Sequence, residues 1–418
     1  MKRFLLNLIL IFFCFFPISA IAQWTQFAPG TYPFSYTWIE SIVGDGTNIY
    51  TGTHSNGVFR SSDGGTTWTA ISSGLPTGSF VYRLVIIGGK IIAGTTNFWG
   101  MYQTTDNGAS WTKIGFTGIE IYSFAKIGEN LFAGTSVGAD ISTDNGTTWT
   151  NVAIDTKEKV KALAVNGSKF FAGITGGEWI DYSHYTYGVY LSTDNGLTWS
   201  WPTNIGFNKV VITLSAVGNH LFAGTSSGVY LSTDDGGSWT AANNGLTNTN
   251  ITSAVVSGNN LFVGTNGGGV FLTTDNGASW SAVNTGLTNL YVYSLAVIGN
   301  DLYAGAMMSG LWKRSLSDIV TAVEDDKINQ PANFALHQNY PNPFNPTTTL
   351  SFAISHSSLV TLKVFDVLGK EIAVLVNENK SAGNYEINFD ASNLSSGIYF
   401  YKLQAGNFSS TKKMVLTR

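Results

Sequence analysis

Ser142-Thr143-Asp144-Asn145-Gly146-Thr147-Thr148-Trp149 is one of six near-copies of a single eight-residue phrase. The others are Ser61–Trp68, Thr104–Trp111, Ser192–Trp199, Ser232–Trp239 and Thr273–Trp280, a return roughly every 40 residues. A fixed period of that length means an array in which each unit is one supersecondary element. The same grammar surrounds every copy. From Val211 to Trp239, a β-rich run leads to a Gly-Asn turn, then His220–Thr225, a Ser-Ser-Gly turn, Val229–Leu231 and the phrase itself. Short β-branched and aromatic runs parted by Gly, Asn and Ser read as four antiparallel strands, named a to d in chain order. Four-stranded units at this period predict the blades of a β-propeller.

Strand b fixes the count. Ile49–Thr53, Ile91–Thr95, Leu131–Thr135, Phe170–Ile174, Leu221–Thr225, Leu261–Thr265 and Leu302–Ala306 make seven units, one more than the phrases. The seventh continues into Gly310–Arg314 as strand c, then lacks both the phrase and strand d. Gln23-Trp24-Thr25-Gln26-Phe27 matches the Trp-Thr start of strand d and precedes the first strand a. The expectation is an all-β, seven-bladed propeller over residues 23–316, closed by the N-terminal strand, which hides an edge otherwise open to another chain.

The phrases resemble the Asp-box (BNR) repeat of sialidases, some glucan hydrolases, sortilin-type receptors and a photosystem assembly factor, over Trp24 to about Leu316. The resemblance implies a hairpin turn between strands c and d, away from the ligand face. The residues agree. Asp63, Asp106, Asp144, Asp194, Asp234 and Asp275 can accept hydrogen bonds from turn amides. Trp68, Trp111, Trp149, Trp199, Trp239 and Trp280 are expected to pack between blades. Six equivalent aspartates suit a scaffold, whereas a catalytic or metal site would be unique.

Composition bounds the function. Charged residues are 11%, aromatics 13%, and 47 of 418 residues are Gly, which suits an extracellular all-β protein rich in tight turns. A net charge of −4 leaves no basic stripe for nucleic acid. Lys2 and Arg3, the apolar Phe4–Phe16 and the small-x-small Ala20-Ile21-Ala22 read as a signal peptide over residues 1–22. An uncleaved anchor is the alternative, since the apolar run approaches spanning length. Cys14, the one cysteine, lies inside that leader between Phe13 and Phe15, so the mature chain has no disulfide and no thiol ligand. His54, His184, His220, His337 and His356 show no metal-ligand spacing. No metal and no cofactor are expected.

Function on a propeller should sit where the repeat breaks, on the face built by the b–c and d–a loops. The b–c loop of unit 4 is the longest interruption and carries Glu178, Trp179, Asp181, Tyr182, His184, Tyr185 and Tyr187, a sugar or peptide platform. Unit 2 adds Phe98 and Trp99 beside Asn97, and the entry segment offers Tyr32, Phe34, Tyr36 and Trp38. The bland alternative is that these rings plug the channel or pack on one another. Aligned strand-a positions form a ring of Glu40, Tyr82, Tyr122, Lys161, Ile212, Thr252 and Tyr293. The next position is small in six units but Arg83 in the second. A buried arginine needs a carboxylate, and Glu40 is the expected partner, either as a structural pair or as part of a ligand-anion clamp.

Sialidases hold the substrate carboxylate with three arginines, but this propeller has only Arg60, Arg83 and Arg314, two of them at the far end of strand c. The sialidase Phe-Arg-Ile-Pro start is also missing. A two-carboxylate glycosidase could draw on Glu40, Glu120, Asp155, Glu158, Glu178 and Asp181, and nothing singles out a pair.

Residues 317–332, with Glu324-Asp325-Asp326-Lys327, read as a polar linker, and residues 333–418 as a small Ig-like β-sandwich. Asn339-Tyr-Pro-Asn-Pro-Phe-Asn-Pro346 and Ser396-Gly-Ile-Tyr-Phe-Tyr401 closely resemble the C-terminal sorting domain of the type IX secretion system of Bacteroidota-like bacteria. The resemblance implies export to the cell surface or medium, with the translocon and sorting machinery as partners and the module commonly removed. Tyr399, Tyr401, Lys412 and Lys413 are the expected translocon contacts. An ordinary Ig-like accessory module is the alternative. The reading as a whole is a secreted or surface-displayed, monomeric, non-catalytic binding or adhesion propeller with a glycan or peptide ligand. A glycoside hydrolase is second, and an assembly or scaffold factor third.

Overall fold

The computed structural model describes residues 23–27, 37–152, 154, 159–175, 188–203, 209–319, 333–355, 358–380 and 383–417. It is almost wholly β. Ile39–Gly44, Ile49–Thr53, Val58–Ser61 and Thr69–Ala70 pair in that order as strands a to d of unit 1. The pattern repeats with strand a at Val81–Ile87, Ile121–Ile127, Lys159–Asn166, Val211–Val217, Ile251–Ser257 and Val292–Ile298, giving seven four-stranded units. Units 3 and 4 share one continuous sheet, because Gly138 bridges Lys159 in parallel. Strand d of unit 3 reaches only as far as Ala139, which leaves the top of its strand c open to that neighbour.

Each strand a lies against strand a of the next unit, and that of unit 7 against unit 1. The strand-b glycine makes this approach possible. A Cβ on Gly52 would stand 2.7 Å from the Val81 carbonyl oxygen, one on Gly134 2.4 Å from that of Val160, and one on Gly305 2.7 Å from Ile39 Cβ. These glycines have ordinary backbone angles, so they are there for space: the first strand-a residue of the following unit fills the missing side chain. Every strand a also carries a bulge near its start, as between Ile39 and Ser41, Val81 and Arg83 or Val160 and Ala162. A bulge leaves one residue unpaired and re-aims its side chain. Glu40, Tyr82, Tyr122, Lys161, Ile212, Thr252 and Tyr293 occupy that position.

The last unit is completed from the N-terminus, with Thr25 opposite Lys313 and Gln26 opposite Trp312. Trp24 is 2% exposed, its amide donates to Thr285 O at 2.8 Å and its indole N–H to Val283 O at 2.6 Å. Trp111 and Trp280, each 4% exposed, use the same geometry on Ser73 and Ile71, and on Asn244 and Ala242. All three receiving loops carry a Gly-Leu pair: Gly74-Leu75, Gly245-Leu246 and Gly286-Leu287. Those glycines sit at φ of 93°, 88° and 86°, under the backbone of the incoming tryptophan. The box tryptophans all pack against core clusters drawn from two successive units, but to different depths. Trp68, Trp149 and Trp199 bond instead to the carbonyl of their own turn glycine (Gly65, Gly146, Gly196) and stay half-buried.

The box is a hydrogen-bonded turn. In the first copy Ser61 Oγ donates to Asp63 Oδ1 at 2.8 Å and accepts from the Gly65 amide, while Thr67 donates its amide and hydroxyl to the same carboxylate. Asp106, Asp144, Asp194, Asp234 and Asp275 repeat it. The fourth position takes positive φ throughout, which suits Gly64, Asn107, Asn145, Asn195, Asp235 and Asn276. These bonds favour the charged form, holding Asp63 and Asp194 at about 2.

One side chain breaks the register. The strand-c residue paired with the residue before the strand-b glycine is aromatic in six units (Phe59, Tyr102, Tyr190, Tyr230, Phe271, Trp312) and Asp140 in the third. Asp140 is buried, and burial pushes its carboxyl up from the ordinary value despite a bond from Asn151. A raised folded-state value means the group favours folding most below the unfolded value and loses that contribution as pH rises through the folded one. The box aspartates have the opposite sign, but they cancel between a variant and its parent. Asp140→Asn should therefore be more stable than the parent at pH 7, and the gap should shrink as pH falls towards 4. Denaturant midpoints across that range check it; a pH-independent gap would refute the assignment.

Residues 316–319 form one helical turn, and Ile319 is buried against the last unit. In the C-terminal module, Ala335–Leu336, Thr347–Ile354 and Gly383–Asp390 form one sheet. Glu371–Lys380, Ser358–Phe365, Gly397–Ala405 and Phe408–Leu416 form the other, with Phe344, Phe352, Tyr401 and Met414 in the core between them. Tyr399 and Tyr401 are buried, which corrects their expected role as contacts. The Tyr401 hydroxyl donates to His337 O and accepts from the Asn339 amide, both at 2.7 Å, pinning the Asn-Tyr-Pro stretch. Phe344 lies beside Leu416, so the motif is stitched to the final strand. Lys413 stays exposed and Lys412 half-buried.

Candidate ligand-binding site

The inner strands enclose an axial cavity of about 290 Å³. Strand a of every unit contributes to its wall, including Glu40, Arg83, Lys161 and Tyr293. The bulge places the first ring at the mouth, on the side of the b–c and d–a loops, since strand a runs inward from there. Of the sequence-derived ring, Glu40, Lys161, Ile212 and Tyr293 line the cavity, Tyr82 and Tyr122 meet each other under Arg83 and Lys161, and the Thr252 hydroxyl donates to Val292 O.

Its pairing differs from expectation. Arg83 does not meet the Glu40 carboxylate: Nη1 donates to the backbone carbonyls of Glu40 (3.0 Å) and Tyr82 (2.8 Å), and the guanidinium lies 4.4 Å over the Tyr82 ring. The Glu40 carboxylate instead sits 3.0 Å from His54 Nδ1. The bulge explains the swap, because it turns the Glu40 side chain towards the loop face while leaving its carbonyl in the channel wall. Lys161 Nζ stands 5.7 Å over Tyr122, whose ring meets Tyr82 edge-on at 5.9 Å. Burial pushes the Lys161 amine down. Burial and the Glu120 carboxylate, which accepts from the Tyr122 hydroxyl, push that phenol up.

A row of rings borders the mouth across units 7, 1 and 2. Tyr293 stacks on Trp38 at 4.9 Å, Trp38 meets His54 at 4.8 Å, His54 stacks on Phe80 at 4.3 Å, and Phe80 approaches Trp99 at 6.2 Å. At those separations the inner rings occupy each other's faces, leaving edges to the solvent. The wall favours the packing alternative for Trp38, holds His54 and Phe80 in the same stack and leaves Trp99 at its end. Phe98 stands out beside it, 62% exposed, with Asn97 and Phe98 at φ of 58° and 62°. Positive φ is costly for a bulky residue and is retained where surroundings impose it; here the Asn97 amide is held by Glu120 Oε1 at 3.0 Å.

The sequence reading passed over His54 and Phe80. A signal was available for both: His54 follows strand b where the other units have Thr, Ser, Asn or Met, and Phe80 directly precedes strand a. Glu178, Trp179, Asp181, Tyr182, His184, Tyr185 and Tyr187 lie outside the described residues, as do Asp155, Glu158, Tyr32, Phe34, Tyr36 and the leader. Arg60 reaches the neighbouring box turn at Asn107 O, and Arg314 is buried on Val283 O, both remote from the mouth. Among the described residues no cluster of three His, Cys, Asp or Glu could hold a metal. No helix among them is long and apolar enough to cross a membrane.

Residues 338–417 match the family model of the secretion system C-terminal sorting domain. This module marks the chain for type IX secretion, to the cell surface or the medium. No curated protein matches the chain. A solved structure described as YCF48 bound to D1 peptide is 15% identical over 71% of this chain and 95% of its own, with a TM-score of 0.53. PorZ, a surface component of the type IX secretion system of Porphyromonas gingivalis, is 15% identical over 94% of this chain and 60% of its own, TM-score 0.52. The GH74 enzyme of Niastella koreensis is 12% identical over 93% and 74%, TM-score 0.53. These likenesses show the fold, a β-propeller with a β-sandwich tail.

Proposed function

We propose that the chain is a seven-bladed propeller of the Asp-box type that acts outside the cell as a binding protein, its ligand entering the axial mouth from the loop face. The leader at residues 1–22 would start its export and the sorting domain complete it. The observation that carries the reading is the coincidence of irregularities at one place. The unmatched Arg83 and Tyr293 line the axial cavity, and the aromatic row that starts at Tyr293 runs through Trp38, His54 and Phe80 to Trp99, next to the left-handed Phe98. The opposite rim, made of boxes, is periodic. Around the cavity, the one carboxylate among the described lining residues is Glu40, held by His54, which supports binding over two-carboxylate hydrolysis. The unit 4 residues Glu178 to Tyr187 would complete the rim.

The test is a polysaccharide and peptide array probed with the mature chain. Phe98→Ala and Trp99→Ala should each weaken binding at least tenfold, while Trp199→Ala on the box face leaves it unchanged. No ligand on the array, or binding indifferent to both mouth substitutions, would overturn the reading. Shortened products released from a bound polysaccharide would replace it with the hydrolase.

A further inference from the structure

We propose that the axial cavity is an acidic-sugar site, in which Arg83 and Lys161 together take the carboxylate of a uronic acid residue. The inference rests on the reading above for the place of binding and adds the chemistry of what enters. Arg83 stands where the other six units have Ser41, Ser123, Ala162, Thr213, Ser253 and Ser294, so the packing of the inner strands requires nothing larger. An arginine there is an addition to the scaffold.

Arg83 is set out for an anion and bonds none, while Lys161 feels only the Glu120 carboxylate behind the Tyr122 ring. Two backbone carbonyls fix Arg83 through Nη1, and the Tyr82 ring supports its plane. Its Nε and Nη2 groups carry no hydrogen bond among the described residues, and the nearest candidate carboxylate, Glu40, is engaged by His54. Lys161 has no carboxylate bond among them either, only the Tyr122 face. A partly desolvated cation without a counter-charge is costly. A planar guanidinium with its Nε–Nη2 edge free matches a carboxylate in two-point geometry, and a lysine lining the same cavity adds a point charge. Among the lining residues two cations stand against the Glu40 carboxylate, which is hydrogen-bonded to His54, with Glu120 acting on Lys161 from outside the lining.

The rest of the wall favours a sugar. The Thr213 hydroxyl is half-buried, lines the cavity and has no hydrogen bond among the described residues, whereas the Ser123 and Ser253 hydroxyls are turned into the packing against Gly134 and Gly264. A hydroxyl left open on the wall suits a hydroxyl of a pyranose ring. A cavity of about 290 Å³ is at the small end of ligand sites, which run from roughly 300 Å³ upward, so one ring is the fitting occupant.

Titration of the full mature chain with D-glucuronate, D-galacturonate and D-glucose, followed by saturation-transfer NMR and calorimetry, tests it. A uronate should bind at least tenfold more tightly than glucose. Arg83→Gln and Lys161→Met should each remove most of that preference with the circular dichroism spectrum unchanged. Lys90→Gln, at an exposed amine bonded to Thr147, should keep it. Equal binding of uronate and glucose, or a preference surviving Arg83→Gln, overturns the carboxylate assignment while leaving array binding intact. Failure of every monosaccharide to bind overturns it too. A short peptide that binds as tightly as uronate, and stops binding when its C-terminus is amidated, would show a peptide carboxylate as the occupant and overturn the sugar assignment.

Discussion

Trp24→Ala should lower the unfolding free energy by about 3–5 kcal/mol, the range for truncating a buried aromatic. Trp68→Ala should cost roughly half as much. Trp24 loses burial in the cluster it shares with Phe262, Val283, Leu287 and Trp312, and it leaves the Val283 carbonyl without its indole donor. The two-residue strand that follows has no other anchor of that size, so the pairing of Thr25 and Gln26 with Lys313 and Trp312 should fray with it. Strand c of the last unit would then be an open edge, a template for pairing between chains. Trp68 is half-buried on the cluster between the last unit and the first and bonds to its own turn, so its removal loses less burial and leaves the N-terminal strand its anchor. Denaturant midpoints rank the two variants, and light scattering should rise for Trp24→Ala alone. Equal midpoints would mean the N-terminal strand decorates the last unit without closing it.

How much of this could be read beforehand depends on how local each cause is. The boxes and the Ala-Gly-Thr runs were legible because turn angle and strand alternation are set within a few residues. The positive φ at Asn107 or Asn145 follows from the residue itself. Trp111 and Trp149 sit in nearly identical phrases, yet one is buried and the other half-exposed; the deciding residues, Gly74 and Leu75, belong to the preceding unit. A reader of the phrase alone has no access to them. The Arg83 partner was missed for a similar reason. Glu40 and Arg83 are neighbours in space as predicted, but a bulge decides which part of Glu40 faces the channel, and the signal for that bulge is spread over a ladder. His54 takes the carboxylate from a loop 14 residues away.

Gly134→Ala should be as damaging as many core truncations although it adds one methyl group. Its Cβ would lie 2.4 Å from the Val160 carbonyl oxygen and 2.3 Å from Ser123 Oγ. The serine can rotate, but the carbonyl belongs to the ladder of the next unit, since Val160 pairs with Ile174. Relief therefore requires unit 4 to move outward as a body. Overpacking costs about 1–3 kcal/mol and occasionally more, and the backbone contact places this case at the upper end or beyond. Gly167→Ala is the control: its φ of +61° strains any side chain, but nothing lies within 4 Å, so its cost should stay near the 1–2 kcal/mol of a left-handed residue. Thermal midpoints should separate the two. Amide exchange along Lys159–Asn166 should accelerate in Gly134→Ala and not in Gly167→Ala. Similar behaviour in both would mean that conformational freedom alone selects the strand-b glycine, and that close contact between successive units does not set the diameter of the axial cavity.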